Sequence, residues 1–303
     1  MTETADQLLS HTIPDCQWIS QNSSNSSSMT STYPQFPDNV KEWIEFFQNV
    51  KLKQYPILGG QFPIFPTEEG SLRVKGEAKT RFYTNVLLPV NTLLQQEKQE
   101  ARFCQASPEF LGHFDFILCT KDSTVAKMPL EIETCHNLNL CGHNLWKIYR
   151  CADSSQITDP NFKFEKKILS QIFFEMACNG LHYGILSNYN DTYFLKREET
   201  SPTTLYVTRV IQSNDVDPTL RECVYYISQL AINDNTSNIL DLIMLDNYSS
   251  NYSDNSDVSD NPDYLDDDYP LRKTGNSKKI VTSSSKGITK PVMHINKKKK
   301  KKH

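Results

Sequence analysis

The sequence predicts an α/β domain over residues 38–246, set between two arms whose composition does not support a core. Three observations carry that prediction. Residues 114–120, 128–134, 183–189, 192–197 and 204–210 are short apolar runs rich in β-branched and aromatic side chains, with the length and make-up of strands. Segments before and between them carry apolar residues at helical spacing. Outside these limits the chain is polar or charged in blocks, and such stretches solvate rather than fold.

Residues 1–37 read as a disordered arm, with Gln21-Asn22-Ser23-Ser24-Asn25-Ser26-Ser27-Ser28 of low complexity. Asp38 reads as the N-cap of an amphipathic helix, because Val40, Trp43, Ile44 and Phe47 recur at i, i+3, i+4 and i+7. Pro56, Pro63 and Pro66 mark a loop. A second helix is expected from about residue 72 to 88, with Val74, Ala78, Phe82 and Val86 on one side. Pro89 kinks or ends it, and residues 91–100 are its candidate continuation. Residues 102–105 form a weaker strand, and the runs 114–120 and 128–134 flank a Lys121-Asp122-Ser123-Thr124 turn. Leu145, Trp146, Ile148 and Tyr149 read as a short buried piece.

Residues 164–179 form the strongest helix, with Leu169, Ile172, Phe173, Met176 and Ala177 as its stripe and Gly180 where a C-cap belongs. The runs 183–189 and 192–197 make a hairpin around Asn190-Asp191, and 204–210 adds a strand. A last helix begins at Asp217-Pro218 and carries Leu220, Val224, Ile227 and Leu230. Residues 247–303 read as a second disordered arm, acidic from 254 to 268 and then basic, ending in lysines 297–302.

Composition bounds the setting. The formal charge of -4 over 303 residues conceals strong segregation along the chain. The start lacks the basic and apolar regions of a secretory signal, and no apolar run nears the ~20 residues of a membrane span. The eight cysteines are scattered, so they read as reduced thiols of an intracellular protein, nuclear or cytoplasmic and without a membrane partner. Lysines 297–302 read either as a nuclear-localisation signal or as a tail that binds polyanions. Cys135, His136, Cys141, His143 and Cys151 lack the paired spacing of structural zinc sites and read as buried thiols and loop histidines.

The chemistry points to two strands. Asp115 lies in one and Glu131 in the next, at positions where a buried strand should carry no charge. Burial of an unpaired carboxylate costs several kcal/mol, roughly, so such groups keep a cation or metal beside them. Asp115 and Glu131 together outline a two-carboxylate metal site, and alternation puts Glu133 on the same strand face as Glu131.

The order helix, three strands, helix, strand, with Asp on the second strand and Glu-x-Glu on the third, resembles the PD-(D/E)XK nuclease superfamily over residues 70–210. The segments Phe114-Asp115-Phe116-Ile117-Leu118, Pro129-Leu130-Glu131-Ile132, Tyr183-Gly184-Ile185-Leu186 and Thr192-Tyr193-Phe194-Leu195-Lys196-Arg197 are similar to a fungal group. In that group a nuclease-like domain is associated with fungal-type protein kinases or Crinkler-type proteins. The resemblance implies a restriction-endonuclease-like αβββαβ core, a central mixed sheet flanked by helices, and Mg²⁺- or Mn²⁺-dependent hydrolysis of DNA or RNA. Asp115 and Glu131 match the metal-binding carboxylates, with the Ile132 carbonyl as a third ligand; Glu77 and Gln171 match supporting positions on the two helices. Members usually carry Lys where this chain has Glu133. Glu133 then serves as general base or metal ligand, or else Lys127, Lys166 or Lys167 supplies the missing cation. The alternatives are a non-catalytic module that binds nucleic acid or a protein partner, and a regulatory or effector fragment. Kinase signatures are absent from the sequence.

Overall fold

The computed structural model describes residues 1–19, 37–53, 60–96, 101–105, 114–120, 125–138, 144–147 and 160–234. In chain order the elements are β1 (Thr2–Glu3), α1 (Ala5–Leu9), β2 (Gln17–Trp18), β3 (Asn39–Glu42), α2 (Phe46–Leu52), β4 (Phe62–Pro63), β5 (Ser71–Leu72) and α3 (Lys75–Phe82). A π-helical turn (Tyr83–Leu87) joins α3 to α4 (Leu88–Gln96). There follow β6 (Arg102–Cys104), β7 (Phe116–Thr120), β8 (Val125–Ile132), α5 (Pro160–Cys178), β9 (Tyr183–Ser187), β10 (Asp191–Glu198), β11 (Ser201–Val207), β12 (Ile211–Gln212) and α6 (Leu220–Asn233).

The β-branched and aromatic runs assemble into one mixed sheet of eight strands, in the order β3-β11-β10-β9-β8-β7-β6, with β12 paired to β10. β6, β7 and β8 form an antiparallel meander. The chain then crosses through α5 and returns as β9, parallel to β8, in the register Leu130↔Ile185 and Glu131↔Leu186. Strand alternation divides the core between the two faces. Phe116, Leu118, Leu130, Ile132, Ile185 and Phe194 pack with residues of α1 to α4 and α6. Leu186, Tyr193, Leu195, Leu205 and Val207 pack with Ile168, Leu169, Ile172, Phe173 and Met176 of α5, and Leu145 and Trp146 join them there. Gly180 ends α5 at φ 63, and Gly184 lets α5 approach β9 so closely that a Cβ would lie 2.9 Å from Met176 Sδ.

Several expectations are corrected. The disordered arm does not include its first nineteen residues: α1 is closed by a Thr4–Gln7 capping box, and Leu8, Leu9 and Ile13 are fully buried. Residues 20–36 and the arm 247–303 lie outside the described residues, as does the Lys121-Asp122-Ser123-Thr124 turn. The helix expected from Asp38 is a strand followed by a helix. Val40 belongs to the cluster under α5, while Trp43, Phe46 and Phe47 belong to the opposite one. A single helix would put positions 40 and 47 on one face, and the open edge of β11 takes residues 39–42 as a parallel strand instead. Leu72 sits in β5, so α3 begins three residues later than expected. Thr219, not Asp217, caps the last helix, through a reciprocal box with Glu222, and Asp217 pairs with Lys51 at 2.7 Å.

Pro89 does not end its helix, which runs on to Gln96 directly after the π-helical turn. Without an N–H it leaves the Asn85 carbonyl without its i+4 donor, and the fully buried Arg221 supplies one from Nε at 2.8 Å. Among the described residues no helix is long and apolar enough to cross a membrane.

Candidate active site

Asp115 directly precedes β7, and its Oδ2 accepts the Ile132 N–H from β8 at 2.8 Å. This bond fixes the Asp115 carboxylate beside Glu131. Glu131 is the penultimate residue of β8, and Glu133 continues the strand line by donating its N–H to the Ser187 carbonyl of β9 at 2.7 Å. Glu131 and Glu133 therefore lie at the carboxyl end of β8, with Asp115 beside them at the start of β7. Asp115, Glu131 and Glu133 are 8%, 4% and 2% exposed.

What gathers them is a cation from another element. Lys75, the first residue of α3, places its Nζ 2.5 Å from Glu131 Oε1, 3.2 Å from Asp115 Oδ2 and 3.7 Å from Glu133 Oε1. One turn later, Lys79 reaches Asp115 Oδ1 at 2.8 Å. Glu133 is held separately, by Asn137 Nδ2 at 3.0 Å.

Charge in this cluster is unevenly shared. Burial works against the Lys75 ammonium, but Glu131, Asp115 and Glu133 outweigh it, and its pKa is raised. Glu131 is raised to about 8, first by burial and then by the negative Asp115, with Lys75 pulling the other way. The two shifts favour opposite forms within one ion pair. Lys75 faces three acids and keeps its proton, whereas Glu131 shares its cation with two other carboxylates and is the member that gains one. Glu131 Oε2 is buried with no hydrogen-bond partner among the described residues.

The structure does not bring every expected site residue here. Glu77 lies two residues from Lys75 on α3, faces solvent, and accepts the Arg73 N–H at 2.6 Å, so it secures the start of the helix and does not meet the carboxylates. Gln171 is buried on α5, and among the described residues its bond is to Glu175 Oε1 at 3.4 Å. Lys127 donates to the Asp234 carbonyl at 2.9 Å, and the side chain of Lys166 lies outside the described residues. Lys75 and Lys79 are cations that the structure sets against these carboxylates, although the sequence does not single them out. Their i, i+4 spacing around the buried Ala78 was the available signal. Cys141, His143 and Cys151 lie outside the described residues.

The donor set suits a hard divalent cation in kind: the Asp115 carboxylate, the Glu131 carboxylate with its unpartnered Oε2, and the adjacent Ile132 carbonyl. Among the described residues no group of three or more His, Cys, Asp or Glu side chains is placed to hold a metal, so any ion here relies on Asp115, Glu131 and the backbone.

The chain matches no family model, no curated protein and no solved structure.

Proposed function

We propose that this protein is a divalent-metal-dependent phosphodiester hydrolase of DNA or RNA on a restriction-endonuclease-like core, with Lys75 replacing the lysine absent at position 133. One observation carries the reading: Lys75 Nζ stands within 2.5–3.7 Å of all three predicted carboxylates. The succession α3–α4, β6, β7, β8, α5, β9 supports it, since it follows the αβββαβ order. Mg²⁺ or Mn²⁺ at Asp115, Glu131 and the Ile132 carbonyl would supply Lewis-acid polarisation of the phosphate and a more acidic water. The chain's own groups do the rest. The Lys75 ammonium, held charged by its neighbours, stabilises negative charge on the phosphate oxygens. Glu133, oriented by Asn137, accepts a proton from the attacking water.

The test is incubation of the purified protein with plasmid, single-stranded DNA and RNA in Mg²⁺ or Mn²⁺, beside Asp115→Ala and Lys75→Met. The expected outcome is cleavage that falls at least about a hundredfold in both variants, in keeping with the loss of a principal charge-stabilising group. Absence of cleavage by the unaltered protein on every substrate overturns the reading. A second reading, a non-catalytic nucleic-acid-binding module, draws on the same ion pairs. Lys75 and Lys79 already balance most of the buried charge, so the fold needs no metal. Under that reading calorimetry detects no Mn²⁺ binding, and Asp115→Ala leaves nucleic-acid affinity unchanged.

A further inference from the structure

A groove of about 630 Å³ opens beside the carboxylates, lined by α3, the π-helical turn and α4 on one side and β6 on the other. Lys79 links the two places: it lines the groove while its Nζ holds Asp115 Oδ1 at 2.8 Å. The same Nζ stands 5.9 Å from the centre of the Phe116 ring, which directly follows Asp115. Phe116 in turn stacks on Tyr83, with ring centres 5.8 Å apart and planes at 18°. Tyr83 is half-buried and lines the groove, so its ring presents a surface there. Arg102, on the exposed side of the edge strand, adds a second cation, and Gln95 and Gln105 add amide groups.

The combination is selective. Two cations along a groove favour an anionic chain, and a ring backed by a second ring favours a flat aromatic partner. The volume falls in the range of ~300–1,000 Å³ that encloses a small ligand, which suits a nucleotide and excludes a base-paired duplex. An acidic peptide would satisfy the cations and leave the ring pair unused.

We propose that this groove binds an unpaired nucleotide of a single-stranded nucleic acid, its base stacked on Tyr83 and its phosphates held by Lys79 and Arg102. The chain would then continue toward Asp115 and Glu131. The direction of that path rests on the hydrolase reading; the binding does not, and it is tested without metal. The full chain in EDTA, at near-physiological salt to suppress the lysine tail, is irradiated with an iodouracil-containing oligonucleotide, and the linked peptides are sequenced. Affinity for a fluorescent oligothymidine and for a duplex of equal length is measured by anisotropy for the unaltered protein, Tyr83→Leu, Tyr83→Phe and Arg102→Gln.

The expected result is a crosslink at Tyr83 and preference for the single strand. Affinity should fall about tenfold in Tyr83→Leu, hold in Tyr83→Phe, and show a shallower salt dependence in Arg102→Gln. Crosslinks confined to the C-terminal lysines, equal binding by Tyr83→Leu, a preference for duplex, or displacement of the oligonucleotide by poly-glutamate with no crosslink at Tyr83 overturns the proposal. Should Tyr83→Leu fail to fold, the crosslink position and Arg102→Gln decide. Binding at Tyr83 without cleavage in Mg²⁺ leaves the groove standing and removes the hydrolase; cleavage without that crosslink does the reverse.

Discussion

Replacing Lys75 by Met would leave three buried acids with Lys79 as the nearest described counter-charge. The cost of orphaning a fully buried pair is about 3–5 kcal/mol. Lys75 is 35% exposed, so screening reduces this to roughly 2–3 kcal/mol, readable as a lower urea midpoint at neutral pH. Glu131 adds a pH dependence whose sign follows from its raised pKa. The folded state binds its proton more tightly than the unfolded chain does. The resulting stabilisation is complete below the ordinary value of 4.5 and is lost as pH rises through about 8. In EDTA, the urea midpoint of the unaltered protein should therefore decline across that window, and Glu131→Gln should flatten the decline. A profile identical in the variant would contradict the assignment. Asp115, Glu131 and Glu133, of which only Glu131 lies within a strand and the other two adjoin one, were legible as charges out of place in apolar runs. Lys75 was not, because it lies 56 residues before Glu131 and no local pattern says where the start of α3 will dock.

The elements read best where the apolar pattern is unambiguous. The stripe of α5 survives translation into structure because it packs against a single layer, and β7 to β10 survive because their continuous apolar runs suit strands covered on both faces. The segment from Asp38 misled because its helical spacing was fortuitous: its apolar residues serve opposite faces of the sheet. Edge strand β6 shows a device no periodicity reveals. Asn91, buried within α4, accepts the Phe103 N–H at 2.7 Å and donates to the Phe103 carbonyl at 3.1 Å, closing the edge that a further strand would otherwise pair with. Asn91→Ala should leave both backbone groups buried and unpaired, at a cost of about 2 kcal/mol, with faster hydrogen exchange at the Phe103 amide as the specific sign. Unchanged exchange there would mean that β6 is held by β7 alone.

At the scale of the molecule, the beginning of the chain and its last described helix are one structure. Leu8 and Leu9 offer their carbonyls to Arg221 Nη1 at 3.0 Å and Thr219 Oγ1 at 2.6 Å, and the Ile13 N–H donates to Ser213 at 3.0 Å. Leu8, Leu9 and Ile13 are fully buried, so together they contribute roughly 5–9 kcal/mol of apolar burial, comparable with the whole stability of a typical domain. Removing residues 1–19 should therefore abolish cooperative thermal unfolding, as followed by near-ultraviolet circular dichroism. Retention of a sharp transition would show that the segment is an accessory. Polar composition between residues 20 and 36 made the whole N-terminal stretch look dispensable, although the three side chains that matter are apolar and lie ahead of it.

The same closure sets a timetable for synthesis. A ribosome that has released the first hundred residues has presented the Leu8 and Leu9 carbonyls without the Arg221 and Thr219 donors that satisfy them, and it must add more than a hundred others before α6 emerges. Nascent chains stalled before residue 220 should stay sensitive to protease near the start of the chain, and resistance should arrive abruptly once α6 clears the exit tunnel.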